Sequence, residues 1–289
     1  MARAAFISPA DMRPLAKRSD AWGWALVLHC WGVIALCMVA ATLWWPLAIP
    51  AFFIIGSRQL GLSILMHEAA HNTLFESRRL NEWVGHWLLS VPWGGNLAAY
   101  RGYHLKHHAH TQTDEDPDLP LSAKFPVTRA SLLRKFTRDL LGLTGLKLRW
   151  YQFLSLWSGK GPSWQATVSF YAVNLAAFGV FAAFGQAWVY LVLWLLPLLT
   201  WYQLVLRVRN IAEHALTTRD GNVLTVARTT DANLWARAFL APYWVNYHVE
   251  HHAYMYMPCY RLKEAHGHMR VHAMERKPNY MSVLRAVVS

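Results

Sequence analysis

Charge is scarce in this 289-residue chain, and the places where it is missing decide the first question. Only 15% of the residues are Asp, Glu, Lys or Arg, and none stands between Ala21 and Ser57 or between Gly161 and Leu206. A soluble domain scatters charge over its surface, so windows of that length exclude an ordinary soluble fold and point to a bilayer. One spanning helix needs about 20 apolar residues. The window from 161 to 206 therefore holds two spans, with the turn at "FGQAW", 184 to 188. The earlier window holds one span from about Trp22 to Trp45, a turn at "WPLAIP", and the start of a second span running from about Ala51 toward His67.

Cysteine is also rare. Cys30, Cys37 and Cys259 form no even framework and no C-x-x-C, which excludes a disulfide scaffold and fits a reducing compartment. Repeats and low-complexity tracts are lacking, which excludes a solenoid. The uncharged stretch after Asp20 is too long for a cleaved signal peptide and reads as a retained anchor.

The charge that is present is mostly basic, with 28 Lys and Arg against 16 Asp and Glu. All the basic residues except Arg58 fall in three segments, 1–20 (Arg3, Arg13, Lys17, Arg18), 67–163 and 207–289. Because Lys and Arg accumulate in short cytoplasmic loops, both termini and the long middle segment are expected in the cytoplasm. Arg58, inside the second span, either faces the bundle interior or a wet cavity, or snorkels at the far interface. Arg129, Arg134, Lys135 and Arg138 interleave with Leu132, Leu133, Phe136, Leu140 and Leu141, as in a helix lying on an anionic leaflet. No recognition motif accompanies the charge, so nucleic acid is not expected as a partner. The expected fold is a single all-α integral membrane domain. Its four transmembrane helices form two hairpins, 22–66 and 164–206, under a cytoplasmic helical cap built from 1–20, 67–163 and 207–289.

Histidine is what the chain has in excess. There are 15, and most are clustered. "HEAAH" places His67 and His71 around Glu68, the spelling of a zinc peptidase in which the glutamate is the general base. "HLKHH" gives His104, His107 and His108, "NIAEH" gives Asn210 and His214, and "HVEHH" gives His248, His251 and His252. Residues at i, i+3 and i+4 are neighbours on a helix, so each H-x-x-H-H triplet presents three imidazoles in one direction. Nine imidazoles are too many for one zinc, which takes four ligands. Two metals with four or five imidazoles each use them all, and imidazole alone does not name the metal. A transporter would carry such ligands near the bilayer midplane, whereas these clusters flank the spans. His29, His86, His110, His266, His268 and His272 read as ordinary capped or solvated side chains.

On these residues the chain resembles the membrane-bound fatty acid desaturase and hydroxylase family. The family's three histidine boxes are matched by "HEAAH", "HLKHH" and "HVEHH", and the resemblance extends over about residues 20 to 265. It implies a di-iron centre that uses O2 to oxidise an unactivated C–H bond. The ligands it implies are His67, His71, His104, His107, His108, His214, His248, His251 and His252, with Asn210 reaching a metal through water. Glu68, Asp114, Asp116, Asp118, Glu213 and Glu250 lie beside the boxes as candidates for orienting ligand N–H groups, which gives Glu68 a supporting role rather than that of a peptidase base. Trp93, Tyr100, Trp150, Trp201, Tyr202 and Tyr243 are available to line an acyl tunnel.

The third box opens with His248 rather than the Gln of front-end desaturases, and no H-P-G-G heme motif is present. Electrons are then expected from a separate ferredoxin or cytochrome with its reductase, docked on the basic face. The expected reaction is insertion of a double bond into a fatty acyl chain of a lipid or thioester. "HLKHHAHTQTDEDPDL" also resembles the second box of carotenoid ketolases and hydroxylases, which keeps hydroxylation or ketolation of a hydrophobic lipid as the alternative.

Overall fold

In the computed structural model, residues 6–289 are described, and Arg3 of the basic arm lies outside them. Capping side chains set most of the helix starts. Ser8 accepts the Asp11 N–H at the head of α1 (Pro9–Leu15), and Ser19 accepts the Trp22 N–H at the head of α2 (Asp20–Leu43). A 3-10 turn at Trp45–Leu47 reverses the chain into α3 (Ala48–Ala70). Helices α2 and α3 run antiparallel, since Gly23 packs against Leu74 and Phe75 just beyond α3, and the Cys30 thiol donates to the Arg58 carbonyl at 3.3 Å. A Cβ at Gly23 would come within 2.5 Å of the Leu74 carbonyl oxygen, so this approach requires glycine.

Ser77 and Asn96 cap α4 (Arg78–Trp87) and α5 (Leu97–His110); the short α6 (Leu119–Ser122), then α7 (Arg129–Leu140) and α8 (Leu143–Ser158), follow. Helix α9 (Trp164–Ala183) starts at Ser163, and the chain turns at Gly185, φ 70°, inside the stretch read as a turn. The return passes through α10 (Ala187–Tyr190), a π turn at Leu191–Leu195, α11 (Leu196–Leu199) and α12 (Trp201–His214). Pro197 has no N–H for the Leu193 carbonyl, so the α ladder cannot run unbroken there. The rest is β1 (Thr229–Thr230), α13 (Leu234–Phe239), α14 (His248–Ala253), α15 (Leu262–Met269), β2 (Arg276–Lys277), parallel to β1, and α16 (Tyr280–Ala286).

Among the described residues, four helical segments are long and apolar enough to cross a membrane, at Asp20–Leu43, Trp45–Ala70, Trp164–Ala183 and Ala187–His214. Helices α2 and α9 turn apolar side chains outward, with Leu36 70% and Leu175 68% exposed. Helix α3 is the opposite case. From Ile55 to Ala70 every residue except Ser63 is buried, because α2, α5 and α12 all pack on it.

The apolar segments do not end where the charge resumes. Helix α12 carries on past 206 to His214, so Asn210 and His214 stand on the same helix as the end of the last apolar run, and His67 and Glu68 lie inside α3. Arg58 faces the bundle interior. It is buried in α3, its Nη2 donates to the Ala238 carbonyl at 2.5 Å, and its guanidinium lies 5.7 Å from the centre of the Tyr243 ring. The basic segment around Arg129 forms α7 with Leu132 and Asp139 turned inward, while Leu133 and Leu140 stay exposed beside Arg134 and Arg138.

Candidate metal centre

Four helices deliver the nine imidazoles. His67 lies in the last turn of α3 and His71 at its C-cap; His104, His107 and His108 lie on α5; His214 is the last residue of α12; and His248, His251 and His252 lie on α14. The short α14 is held by its flank, where the Thr229 hydroxyl accepts the Val249 N–H at 3.2 Å.

The imidazoles form two groups. His67, His71, His104, His108 and His251 make one, and His107, His214, His248 and His252 the other, with one nitrogen from each residue of a group inside a 4.8 Å set. The triplets therefore do not each point at one centre. At about 100° per residue, positions i and i+4 lie about 40° apart around a helix while i+3 sits on the far side of i. His104 and His108 accordingly serve the first group and His107 the second. His248 and His252 serve the second and His251 the first.

These nitrogens fit metal ions. Nε2 of His108 lies 3.0 Å from Nε2 of His104 and 2.9 Å from that of His251, and Nε2 of His248 lies 2.9 Å from that of His214 and 3.2 Å from that of His252. Two imidazole nitrogens bound to one metal at about 2.1 Å and at right angles are separated by about 3.0 Å. Nε2 of His67 and of His71 are buried and hydrogen-bonded to nothing, although a buried polar atom without a partner is costly. Both belong to the five-imidazole group.

Four of the other ring nitrogens, on His214, His107, His67 and His252, are held from behind. His214 Nδ1 lies 3.2 Å from the Val226 carbonyl, an acceptor only, so Nδ1 carries the proton and Nε2 keeps its lone pair. Asp116 accepts from His107 Nδ1 at 2.8 Å, Glu68 from His67 Nδ1 at 3.2 Å, and the Thr111 hydroxyl from His252 Nδ1 at 3.3 Å. Burial, reinforced by neighbouring imidazoles, pushes His104, His248, His251 and His252 well below the usual histidine range. Burial, with Arg101 and His107 adding to it, pushes His71 down to about 3. All five are therefore neutral and ligand-competent at physiological pH.

The acidic residues divide. Asp116 and Glu68 hold the His107 and His67 imidazoles, and Glu68 is fully engaged, taking also the Thr73 hydroxyl at 3.0 Å and the Cys259 N–H at 2.9 Å. Burial opposes ionisation of Asp116, but the His107 imidazole and the Gln112 and Asp118 N–H groups outweigh it and hold its carboxyl below the usual range. Asp118 is 3.7 Å from His107 Nδ1 and accepts the Tyr103 hydroxyl. Glu213 approaches the inner nitrogen of His248, Nε2, at 3.6 Å, while its other oxygen meets Arg209 at 2.5 Å. Glu250 orients no ligand, because its oxygens are taken by the Thr229 hydroxyl at 2.5 Å and by His266. Asp114, too, points outward, to Arg219. Asn210 lines a 30 Å³ void together with His107, His214 and His248, a space the size of a water.

His29, His86, His110, His266, His268 and His272 belong to neither group. Among the aromatic tunnel candidates, Tyr100 stacks on His104 with ring centres 5.1 Å apart, and Tyr243 lines a small void with His67, His248 and His251. Trp93 packs against the buried Tyr202, and Trp201 donates to the Ser57 hydroxyl. Trp150 is 59% exposed and so is no part of a buried tunnel. Sequence reasoning passed over Thr111 and the Val226 carbonyl; a hydroxyl three residues beyond a box signalled the first, and no residue type announces a carbonyl.

Comparison with known proteins points to one family. The family model described as "Fatty acid desaturase" matches residues 42–283. A dihydrorhizobitoxine desaturase of Bradyrhizobium elkanii is 26% identical over 274 residues, covering 88% of this chain and 76% of its own. A beta-carotene ketolase of a Paracoccus strain is 25% identical over 82% of this chain and 88% of its own, and an sn-1 oleoyl-lipid 12-desaturase of Synechocystis is 24% identical over 88% and 77%. With five and four imidazoles gathered beside the C-terminal ends of α3 and α12 and a family match over most of its length, the chain belongs to the fatty acid desaturase family.

Proposed function

We propose that the protein is an O2-dependent di-iron oxidase that introduces a double bond into a fatty acyl chain of a lipid or thioester. The observation that carries this reading is the gathering of nine imidazoles into groups of five and four, with the Nδ1–H groups of His67, His107, His214 and His252 held from behind and Nε2 atoms turned toward one another. Two irons bound there would supply dioxygen activation and removal of hydrogen from an unactivated C–H bond. His67, His71, His104, His108 and His251 hold one iron. His107, His214, His248 and His252 hold the other, with Asn210 reaching it through water.

The side chains around the groups keep water out and hold His71, His104, His248, His251 and His252 neutral, and the stacked Tyr100 ring covers one side of His104. A zinc peptidase built on "HEAAH" is a poorer fit. Its two histidines belong to a five-imidazole group, and Glu68 is already occupied by His67, Thr73 and the Cys259 N–H, which leaves it no geometry for activating a water. Similarity to a beta-carotene ketolase at an identity close to that of the desaturases favours, as a second reading, ketolation or hydroxylation of a carotenoid-like lipid.

The four apolar helices form two hairpins in this reading. Both termini and the histidine groups lie on the cytoplasmic side, where the basic residues collect and an acidic ferredoxin or cytochrome docks. Metal content per chain of protein from iron-replete cells is the test. About two irons, followed by new double bonds in the host's lipids, support the reading; oxygenated lipids instead move it to the second. One zinc without iron refutes both.

A further inference from the structure

Two of the nine imidazoles stand at helix C-termini, His71 at the C-cap of α3 and His214 as the last residue of α12. The last carbonyls of a helix have no partner within it, so the direction of a ring placed there follows whatever holds the turn. Beyond His71 the turn is a Schellman motif. Asn72 is left-handed at φ 58°, its N–H donates to the Ala69 carbonyl, and the Thr73 N–H donates to the Glu68 carbonyl, both at 3.1 Å. The Arg101 guanidinium completes it, with Nε donating to the Ala70 carbonyl at 2.8 Å and Nη2 to that of Ala69 at 3.1 Å. Glu82 accepts from Nη1 and Nη2 of the same guanidinium at 3.2 and 2.6 Å.

The end of α12 is closed in the same way. The buried Arg228 donates from Nη1 to the Ala212 carbonyl at 3.2 Å, from Nη2 to that of Ala215 at 2.7 Å and from its backbone N–H to that of Glu213 at 2.9 Å. Glu275 accepts from its Nε at 2.8 Å. Each arginine also reaches a second ligand-bearing helix. Arg101 lies on α5, three and seven residues before His104 and His108 and so on their face. Arg228 is followed by Thr229, whose hydroxyl accepts the Val249 N–H of α14, the helix of His248 and His252. His71, His104 and His108 belong to the five-imidazole group, and His214, His248 and His252 to the other.

We propose that Arg101 with Glu82 and Arg228 with Glu275 are two positioning clamps, one for each metal group, each setting the affinity of its own group. A planar fork bonded to two carbonyls fixes the end of one helix and its distance from the next, which a single-point donor does not. Its charge also suits the negative end of the helix dipole. The inference rests on the two metal groups of the reading above and not on its reaction.

Loading the purified full chain with cobalt(II) in neutral detergent, then titrating with chelator, tests this without turnover. The wild-type chain is expected to hold two cobalt ions. Arg101→Gln and Arg228→Gln should each loosen one of them about tenfold, the order of effect of removing a group behind a metal ligand, and leave the other at its wild-type midpoint. The ions lost are different ones, so the visible spectra of the cobalt that the two variants retain should differ and together reproduce that of the wild type. Arg101→Lys and Arg228→Lys fall in between. Glu82→Gln and Glu275→Gln loosen the same ion as the arginine they back, by less, and carry the test where an arginine variant does not fold. Side chains that served general stability alone would loosen both ions together in every variant. That result, unchanged midpoints, loss of the same ion from both arginine variants, or fewer than two cobalt ions in the wild-type chain overturns the proposal. Crossed losses in a chain that leaves lipids unaltered uphold the clamps and refute the oxidase.

Discussion

Replacing Asp116 by Asn is expected to strip one metal and leave the other. The Asp116 carboxylate is buried and accepts three hydrogen bonds, from His107 Nδ1 and the Asp118 N–H on one oxygen and from the Gln112 N–H on the other, each at 2.8 Å. An amide of the same shape keeps only one acceptor oxygen. Whichever way it turns, at least one N–H faces an NH2 group, and the negative charge behind His107 disappears. Removing a charge-assisted hydrogen bond costs about 2 kcal/mol, which is about thirtyfold in an equilibrium constant. Partners behind metal ligands alter metal affinity by a factor of the same order.

His107 belongs to the four-imidazole group alone, so the loss falls on that group. Dialysis of iron-loaded wild-type and Asp116→Asn protein against graded chelator, with iron counted per chain, reads the effect. One iron should leave the variant at about thirtyfold lower chelator activity while the second stays at its wild-type midpoint. Wild-type retention of both irons, or their departure together at one midpoint, refutes the assignment of Asp116 to a single group.

Three further outcomes are expected. His251→Ala removes a ligand of the five-imidazole group and should abolish oxidation and lower the iron content, read by metal analysis with lipid profiling; full activity would exclude the site. Glu68→Gln should retain partial activity, since the Gln carbonyl can still accept from His67 or Cys259, whereas an enzyme using Glu68 as its base would lose all of it. The metal-stripped protein should unfold more readily in acid. His71 is pushed down to about 3 in the folded chain, against about 6.5 when unfolded. Between those values the unfolded state binds the extra proton, so stability is full above about pH 6.5 and falls by up to about 1.4 kcal/mol per pH unit for this residue below it. His104, His248, His251 and His252 add in the same direction. Chemical denaturation of the apo protein at pH 7.5 and 5.5 measures the difference, and equal stability would contradict it.

The spans and the histidines were legible because each rests on a strong, short-range signal. A window without charge can only be buried or in lipid, and an i, i+4 pair can only share a helix face. The division of each triplet between two groups was contained in the same spacing, but it shows only when the second helix is in place, since His104 and His108 need His251 opposite them. Other details depended on tertiary placement. Glu250 looked equivalent to Glu213, both next to a histidine; α14 turns Glu250 toward Thr229 and His266, while α12 turns Glu213 toward Arg209 and His248. The burial of Arg58 followed from α13 folding over α3 from 180 residues away in sequence, a contact no local pattern encodes.

The alternating allegiance of the histidines on α5 and α14 also bears on how the gene can change. Inserting one codon between His104 and His108 would rotate every later side chain on that helix by about 100°. An insertion ahead of His107 would turn His107 to where His108 now points and carry His108 a further 100° round, away from the first group, so no single-residue insertion or deletion there leaves both groups intact. The exposed turn from Gly159 to Gly161, between α8 and α9, carries no such constraint. Length variation among descendants of this chain should therefore collect in that turn and stop at the boundaries of the boxes.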